Sequence, residues 1–367
     1  MKKKQTQYRF MFAGGGTGGH LFPAIAVADK IKVLLPEAEI LFIGTRSRIE
    51  GKVVPKLGYK FKSIWIKGFS RKLNLENLLF PVKLLVSIVQ SYFINLKFKP
   101  AVAIGSGGYV SGPAVFGASK TGAKVILLEQ NSYPGVTTRL LEKYAVEVHL
   151  SFEDSKKYFK DKTKLFVTGN PVRENLSTVN KNDALKKYEL ASSKKTLLIL
   201  GGSLGAYSLN EAIAKSIKRF EEKGLQIIWQ TGMNYYDNYK NLTSKNIKVM
   251  AFIEEMNLAY SACDILLARA GATTIAELSA LGIPSILVPS PNVAENHQYF
   301  NAKSLADKKA AILIEDKNLN EELENGIYSL LNDDILLAEL KKNALSLGKP
   351  DAAEIIAKNA IKYAQSI

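Results

Sequence analysis

The chain has a single cysteine, Cys263, among 367 residues, which excludes an internal disulfide framework and fits a reducing compartment. It also lacks an apolar run that would cross a bilayer. The longest mostly apolar stretch, residues 78–96, is interrupted by Pro81, Lys83, Gln90 and Asn95. Its charge-free part, 84–96, rises only about 20 Å as a helix, short of a hydrocarbon core of about 30 Å. The amino-terminal MKKKQTQYRFMFAGGG is basic but has too short an apolar segment for a signal peptide. Low-complexity tracts are absent too.

Positive charge is abundant and unevenly placed. The net charge is +16, and residues 1–170 account for all of it, with 27 Lys/Arg against 11 Asp/Glu. The remainder carries 23 of each. A basic half joined to a neutral half points to one anionic partner: nucleic acid, an acidic membrane surface or a phosphorylated substrate. A merely solubilising surface is the plain alternative.

The length predicts two domains. Near-continuous apolar runs alternate with helical stretches. In the first half they are YRFMFA (8–13), EILFIG (39–44), AVAIGS (101–106), KVILLE (124–129), VEVHLS (146–151) and KLFVTG (164–169). In the second they are TLLILGG (196–202), LQIIWQ (225–230), IKVMAF (247–252), DILLAR (264–269), PSILVP (284–289) and AAILIE (310–315). Such runs predict parallel strands covered on both faces, hence two doubly wound α/β domains. Asn170 and Pro171 set the boundary, giving domains 1–169 and 170–350. A last helical stretch, 351–367, follows Gly348 and Pro350.

Three glycine loops carry the chemistry: GGGTGGH from Gly14, GSGGYVSGP at 105–113 and GGSLGA from Gly201. Gly14-x-Gly16-x-x-Gly19 fits the dinucleotide fingerprint, but that motif needs an acid ending the second strand. Here Glu37 and Glu39 stand at its start, so a nicotinamide cofactor loses its support. Gly201-x-Ser203-x-Gly205 fits a hydrolase nucleophile elbow, with Asp264 and His297 following in triad order. That reading leaves the other two loops without a role. What the loops share is bare backbone N–H at strand ends, which binds anions. Tight strand–helix packing explains one or two glycines per turn, not five in the first loop.

Lys67, Arg71, Lys72, Lys83, Lys97 and Lys99 surround the 78–96 stretch, interleaved with Phe69, Leu73, Leu75, Leu78, Leu79 and Phe80. An apolar patch rimmed by lysines suits anionic lipid. The alternative is a core helix with snorkelling lysines.

GGGTGGHLFPAIAVA, GSGGYVSGP, LLEQNSYPG, GNPVR, GGSLGA, RAGATTIAEL and NHQYFNA occur in the order seen in the MurG family, which the chain resembles over residues 8–365. The resemblance implies a GT-B fold: two Rossmann-like domains facing an interdomain cleft, with the 351–367 helix returning to the first domain. It implies inverting transfer of N-acetylglucosamine (GlcNAc) from UDP-GlcNAc to the 4-hydroxyl of the N-acetylmuramyl (MurNAc) sugar of lipid I, the undecaprenyl diphosphate-linked MurNAc-pentapeptide, giving lipid II. A peripheral place on the cytoplasmic side of the inner membrane follows, through the 67–99 region. Neither nucleic acid nor a cofactor is implied. The second domain would hold the donor and the first the acceptor and membrane.

Carried onto this sequence, the resemblance implies a donor site drawing on Thr17, Gly18, Gly19 and Asn131, with Arg173 and Ser203 towards the diphosphate. Ile253 would lie along the uracil. Ala272, Thr273, Thr274, Ile275 and Ala276 would form a turn near the phosphates, Glu277 would accept from ribose hydroxyls, and Gln298 would reach the sugar. Leu204 stands where the family pattern has glutamine, as does His297. No Asp-x-Asp pair is present, so no metal is expected and backbone amides must meet the leaving-group charge. His20 is the candidate base, with loop support as its alternative role. His149, inside an apolar strand, is expected to be a satisfied core residue.

Overall fold

The computed structural model describes residues 8–68, 79–172, 176, 178–202 and 204–366. They form two compact units, one made of residues 1–173 with 349–367 and the other of 174–348.

The first unit holds strands β1 (Arg9–Ala13), β2 (Glu39–Gly44), β3 (Lys60–Ser63), β4 (Val102–Gly105), β5 (Lys124–Glu129), β6 (Ala145–Leu150) and β7 (Leu165–Phe166). All are parallel, in the order β3-β2-β1-β4-β5-β6-β7. Helices α1 (Gly18–Leu34), α2 (Ile49–Lys56), α3 (Phe80–Phe98), α4 (Ser111–Lys120) and α5 (Val136–Leu141) connect them. Alternation along each strand feeds two cores. Phe10, Phe12, Ile40 and Phe42 join one, Met11, Ala13, Leu41 and Ile43 the other. Edge strand β3 has the sequence KFKS, whose lysines face water.

The second unit holds α6 (Lys181–Lys187), β8 (Thr196–Leu200), α7 (Tyr207–Glu222), β9 (Gln226–Gln230), α8 (Tyr236–Tyr239), β10 (Ile247–Met250), α9 (Met256–Ala262), β11 (Ile265–Ala268), α10 (Ala272–Leu281), β12 (Ser285–Leu287), α11 (His297–Ala306), β13 (Ile312–Leu313), α12 (Leu319–Leu331) and α13 (Asp334–Leu347). Its parallel sheet runs β10-β9-β8-β11-β12-β13. In both units the strand order reverses beside the first strand, between β1 and β4 and between β8 and β11. Open α/β sheets bind ligands at that reversal, beyond the carboxyl ends of the strands. All three glycine loops lie there.

Helix α14 (Ala352–Gln365) belongs to the first unit and packs on α1. Ile356, Ala357, Ala360 and Ala364 enter the core beside Phe10 and Leu21. Its other tie is polar. Glu147 on β6 accepts hydrogen bonds from Asn359 (2.9 Å) and Tyr363 (3.1 Å), and lies 2.9 Å from His149 Nε2. His149 Nδ1 is 3.2 Å from Thr168 Oγ1, so this histidine is a satisfied core residue.

Candidate active site

In the first unit, Thr17 precedes α1 in extended backbone and its hydroxyl makes no capping bond, although Thr is a good capping residue. Thr17 and Gly19 are exposed, and Gly18 and His20 half-buried. The first loop does not present all its amides. Gly16 N–H donates to Glu50 Oε2 (3.0 Å), while Glu50 Oε1 accepts from Thr45 N (3.0 Å) and Thr45 Oγ1 (2.5 Å). Glu50 is 1% exposed. The expectation of wholly bare amides is therefore corrected: a carboxylate from α2 already supplies an anion to this loop.

The second loop presses on the first. Ser111 Oγ donates to the carbonyls of Ala13 (2.6 Å) and Gly107 (2.7 Å), and Ser106 Oγ to that of His20 (2.6 Å). Gly107 sits at φ 92°, and a Cβ there would lie 2.7 Å from His20 Nδ1. Only glycine meets both demands. His20 Nδ1 is itself 3.1 Å from Gln130 Oε1.

Asn131 follows β5, and its backbone N–H donates to Glu129 Oε1 (3.0 Å). Gly135 N–H donates to the other oxygen of Glu129 (3.1 Å). Burial pushes the Glu129 carboxyl up to about 7, against the lowering effect of hydrogen bonds from Asn131, Thr138 and Gly135. Glu50 and Glu129 are not among the residues expected from the sequence. Glu129 has a local signal, an acid directly ahead of a turn, whereas Glu50, 34 residues from Gly16, has none.

In the second unit, Gly205 has φ 90° and would place a Cβ 2.3 Å from the Thr231 carbonyl, so the 201–205 loop lies tight against the end of β9. Ser203 and Arg173 fall outside the described residues; Leu204 is exposed. Helix α10 opens after Gly271 with Ala272 and Ile275 buried and Thr273, Thr274 and Ala276 half-buried. Thr273 Oγ1 is buried with no partner among the described residues. Glu277 is buried and accepts from Tyr260 Oη (2.8 Å). The Ile253 amide donates to Gln230 Oε1 (2.9 Å), so it is engaged already. Gln298 Oε1 accepts from the Ser290 amide (2.9 Å).

Arg269, another residue not expected from the sequence, directly follows β11. It reaches Asp316 (2.5 Å), Ser208 (2.8 Å) and the Val288 carbonyl (3.2 Å), locking the strand ends that carry these loops. The hydrolase triad does not assemble. Asp264 lies at the amino end of β11, 2.6 Å from Lys181 Nζ and accepting from Thr196 N (2.8 Å), whereas Gly201 lies beyond the carboxyl end of β8. Five strand residues span about 16 Å. His297 Nδ1 instead lies 2.8 Å from the Ala294 carbonyl, and desolvation holds its pKa below the usual range.

The glycosyltransferase family 28 N-terminal domain matches residues 10–150, and the family 28 C-terminal domain matches 196–356. A UDP-N-acetylglucosamine–N-acetylmuramyl-(pentapeptide) pyrophosphoryl-undecaprenol N-acetylglucosamine transferase of Flavobacterium psychrophilum is 44% identical, over 98% of this chain and 99% of its own. The transferase of the same name from Christiangramia forsetii is 43% identical over 95% of each. Among solved structures, Acinetobacter baumannii MurG superposes with a TM-score of 0.77 at 28% identity, covering 97% of this chain and 99% of that one.

The chain belongs to the MurG family.

Its two parallel-sheet units are of the GT-B class expected from the resemblance. Of the positions assigned from the MurG pattern, Thr17, Gly18, Gly19 and His20 gather at the end of β1, with Asn131 at the end of β5. Residues 272–277 gather at the end of β11.

Among the described residues, no helix is long and apolar enough to cross a membrane. Helix α3 is not an ordinary core helix either. Its buried residues are Ser87, Ser91 and Asn95. Leu85 (64%) and Phe93 (61%) are exposed, as are Val82, Val89, Tyr92 and Leu96, in one stripe of helical spacing. Exposed Trp65 adjoins it, with Lys83 Nζ 5.6 Å from its ring centre. Residues 69–78, with Phe69, Arg71, Lys72, Leu73, Leu75 and Leu78, lie outside the described residues.

Proposed function

We propose that this protein transfers GlcNAc from UDP-GlcNAc to the 4-hydroxyl of the MurNAc of undecaprenyl diphosphate-linked MurNAc-pentapeptide, with inversion, forming lipid II. The observation that carries this reading is full-length identity of 43–44% to transferases of that name. The acceptor oxygen attacks C1 of GlcNAc, the bond from C1 to the β-phosphate oxygen breaks, and UDP departs. The hydroxyl proton passes to His20. Charge growing on UDP is met by the amino end of α10, by the 201–205 amides and by Arg173 and Ser203. Each well-placed donor of this kind contributes roughly 3–4 kcal/mol to the transition state.

The second unit serves as the donor domain, with Glu277 at the ribose and Gln298 at the sugar. The first serves the acceptor, and its Thr17, Gly18, Gly19 and Asn131 contribute to binding the donor. The exposed α3 stripe, with Trp65 and the lysines at 67, 83, 97 and 99, rests on the anionic cytoplasmic leaflet of the inner membrane, where the acceptor's polyprenyl tail is anchored.

The deciding experiment incubates the protein with radiolabelled UDP-GlcNAc and lipid-linked MurNAc-pentapeptide, with and without EDTA. Label is expected in a lipid-linked disaccharide at equal rates in both. Label released as free sugar irrespective of acceptor would refute the transfer. Loss of turnover in EDTA, restored by magnesium or manganese, would refute the metal-independent mechanism.

A further inference from the structure

We propose that Gln130 is a positioning residue that holds the His20 imidazole as the Nδ1–H tautomer and keeps the lone pair on Nε2 for the acceptor proton. The proposal rests on His20 as the proton acceptor in the function proposed above.

The geometry leaves little freedom. Gln130 is buried immediately after β5. Its Nε2 donates to the Leu128 carbonyl at 3.3 Å, and its Oε1 faces His20 Nδ1 at 3.1 Å. Flipping the amide would set one oxygen against the Leu128 oxygen and leave its two N–H groups towards the ring. An amide oxygen only accepts, so the nitrogen facing it must carry the hydrogen. In a neutral imidazole the lone pair then belongs to Nε2.

The ring is also held mechanically. Ser106 Oγ bonds the His20 carbonyl at 2.6 Å. Gly107 and Gly108 back the ring: a Cβ at Gly107 would lie 2.7 Å from Nδ1 and 2.9 Å from Cε1, and one at Gly108 3.5 Å from Cδ2.

The choice of a neutral amide has its own logic. A carboxylate at this position would also fix the tautomer, but it would add negative charge beside two diphosphate-bearing substrates. Glutamine orients the ring without that repulsion. Buried His149 illustrates the contrast: its Nε2 lies 2.9 Å from the Glu147 carboxylate, in a structural network.

The test is nitrogen-15 NMR of the imidazoles in the full chain without substrates. There are three histidines, so His20→Asn assigns the signal. In the wild type, at a pH where the ring is neutral, His20 is expected to show a protonated Nδ1 and an unprotonated Nε2. Gln130→Met, of similar length and without an acceptor oxygen, should move His20 towards the Nε2–H form. It should also lower kcat about tenfold or more, with the KM for UDP-GlcNAc unchanged. Gln130→Glu retains an oxygen at Nδ1 and should keep that nitrogen protonated. A wild-type His20 in the Nε2–H form overturns the proposal. So does a Gln130→Met protein with the tautomer unmoved, or with it moved and kcat unaltered. If the wild type transfers no sugar, the proposed function fails and the catalytic purpose of this arrangement with it. The substrate-free spectrum still decides the tautomer itself.

Discussion

Glu50→Gln exchanges one carboxylate oxygen for an amide nitrogen without changing the side chain's shape. Three donors converge on Glu50: Thr45 N and Thr45 Oγ1 on one oxygen, Gly16 N on the other. Glutamine loses least by turning its oxygen to Thr45, which sets its NH₂ against the Gly16 N–H. One hydrogen bond to a charged group is lost and a donor is left facing a donor, a cost of about 1.5–3 kcal/mol. At about 2–4 °C per kcal/mol for a unit of this size, the melting transition of the first unit should fall by roughly 3–12 °C. The loop bearing Thr17 and His20 loosens as well, so hydrogen exchange in the 14–20 segment should quicken. Calorimetry and exchange mass spectrometry measure these two effects. A variant with unaltered melting and unaltered exchange would refute the claim that Glu50 organises the glycine loop.

Glu277→Ala should raise the KM for UDP-GlcNAc about tenfold, as expected for losing roughly 1.4 kcal/mol of ribose binding, while Tyr260→Phe leaves it near wild type. Equal donor kinetics in both folded variants would remove Glu277 from the donor site. Leu85→Asp with Phe93→Asp should abolish co-sedimentation with anionic vesicles and keep the circular dichroism spectrum, because both side chains are exposed. Vesicle binding equal to wild type would count against the α3 surface. Burial raises the Glu129 carboxyl from 4.5 to about 7, so the unfolded chain ionises first as pH rises. This group therefore lowers stability progressively between about pH 4.5 and 7, by about 3 kcal/mol in full. Glu129→Gln should lack that decline. Parallel urea-stability curves for the two proteins across this window would exclude it.

The twelve apolar runs read from the sequence all became strands, because buried parallel strands need unbroken apolar side chains on both faces. Strand β3 escaped notice since KFKS is an edge, with its lysines in water. The glycine loops were legible as a cradle, and their place at the two strand-order reversals follows from topology that no single loop sequence encodes. Glu50 was not legible as a loop ligand: it lies 34 residues from Gly16, and only the pairing of β1 with β2 brings α2 to that loop. Gln130 and His20 are 110 residues apart for the same kind of reason. The polarity of α3 ran against the usual pattern, with serines and asparagine inward, so an apolar count alone left core and surface readings open.

The first unit draws on both ends of the described chain, and the second is threaded into it. During synthesis the ribosome therefore releases the 174–348 segment complete while its host still lacks α14. Until then α1 exposes the groove that Ile356, Ala357 and Ala360 will fill, and Glu147 has neither Asn359 nor Tyr363. A nascent chain in this state has one finished domain and one with an open apolar seam. Of the two units, the one that includes residues 349–367 is thus the last to become fully folded.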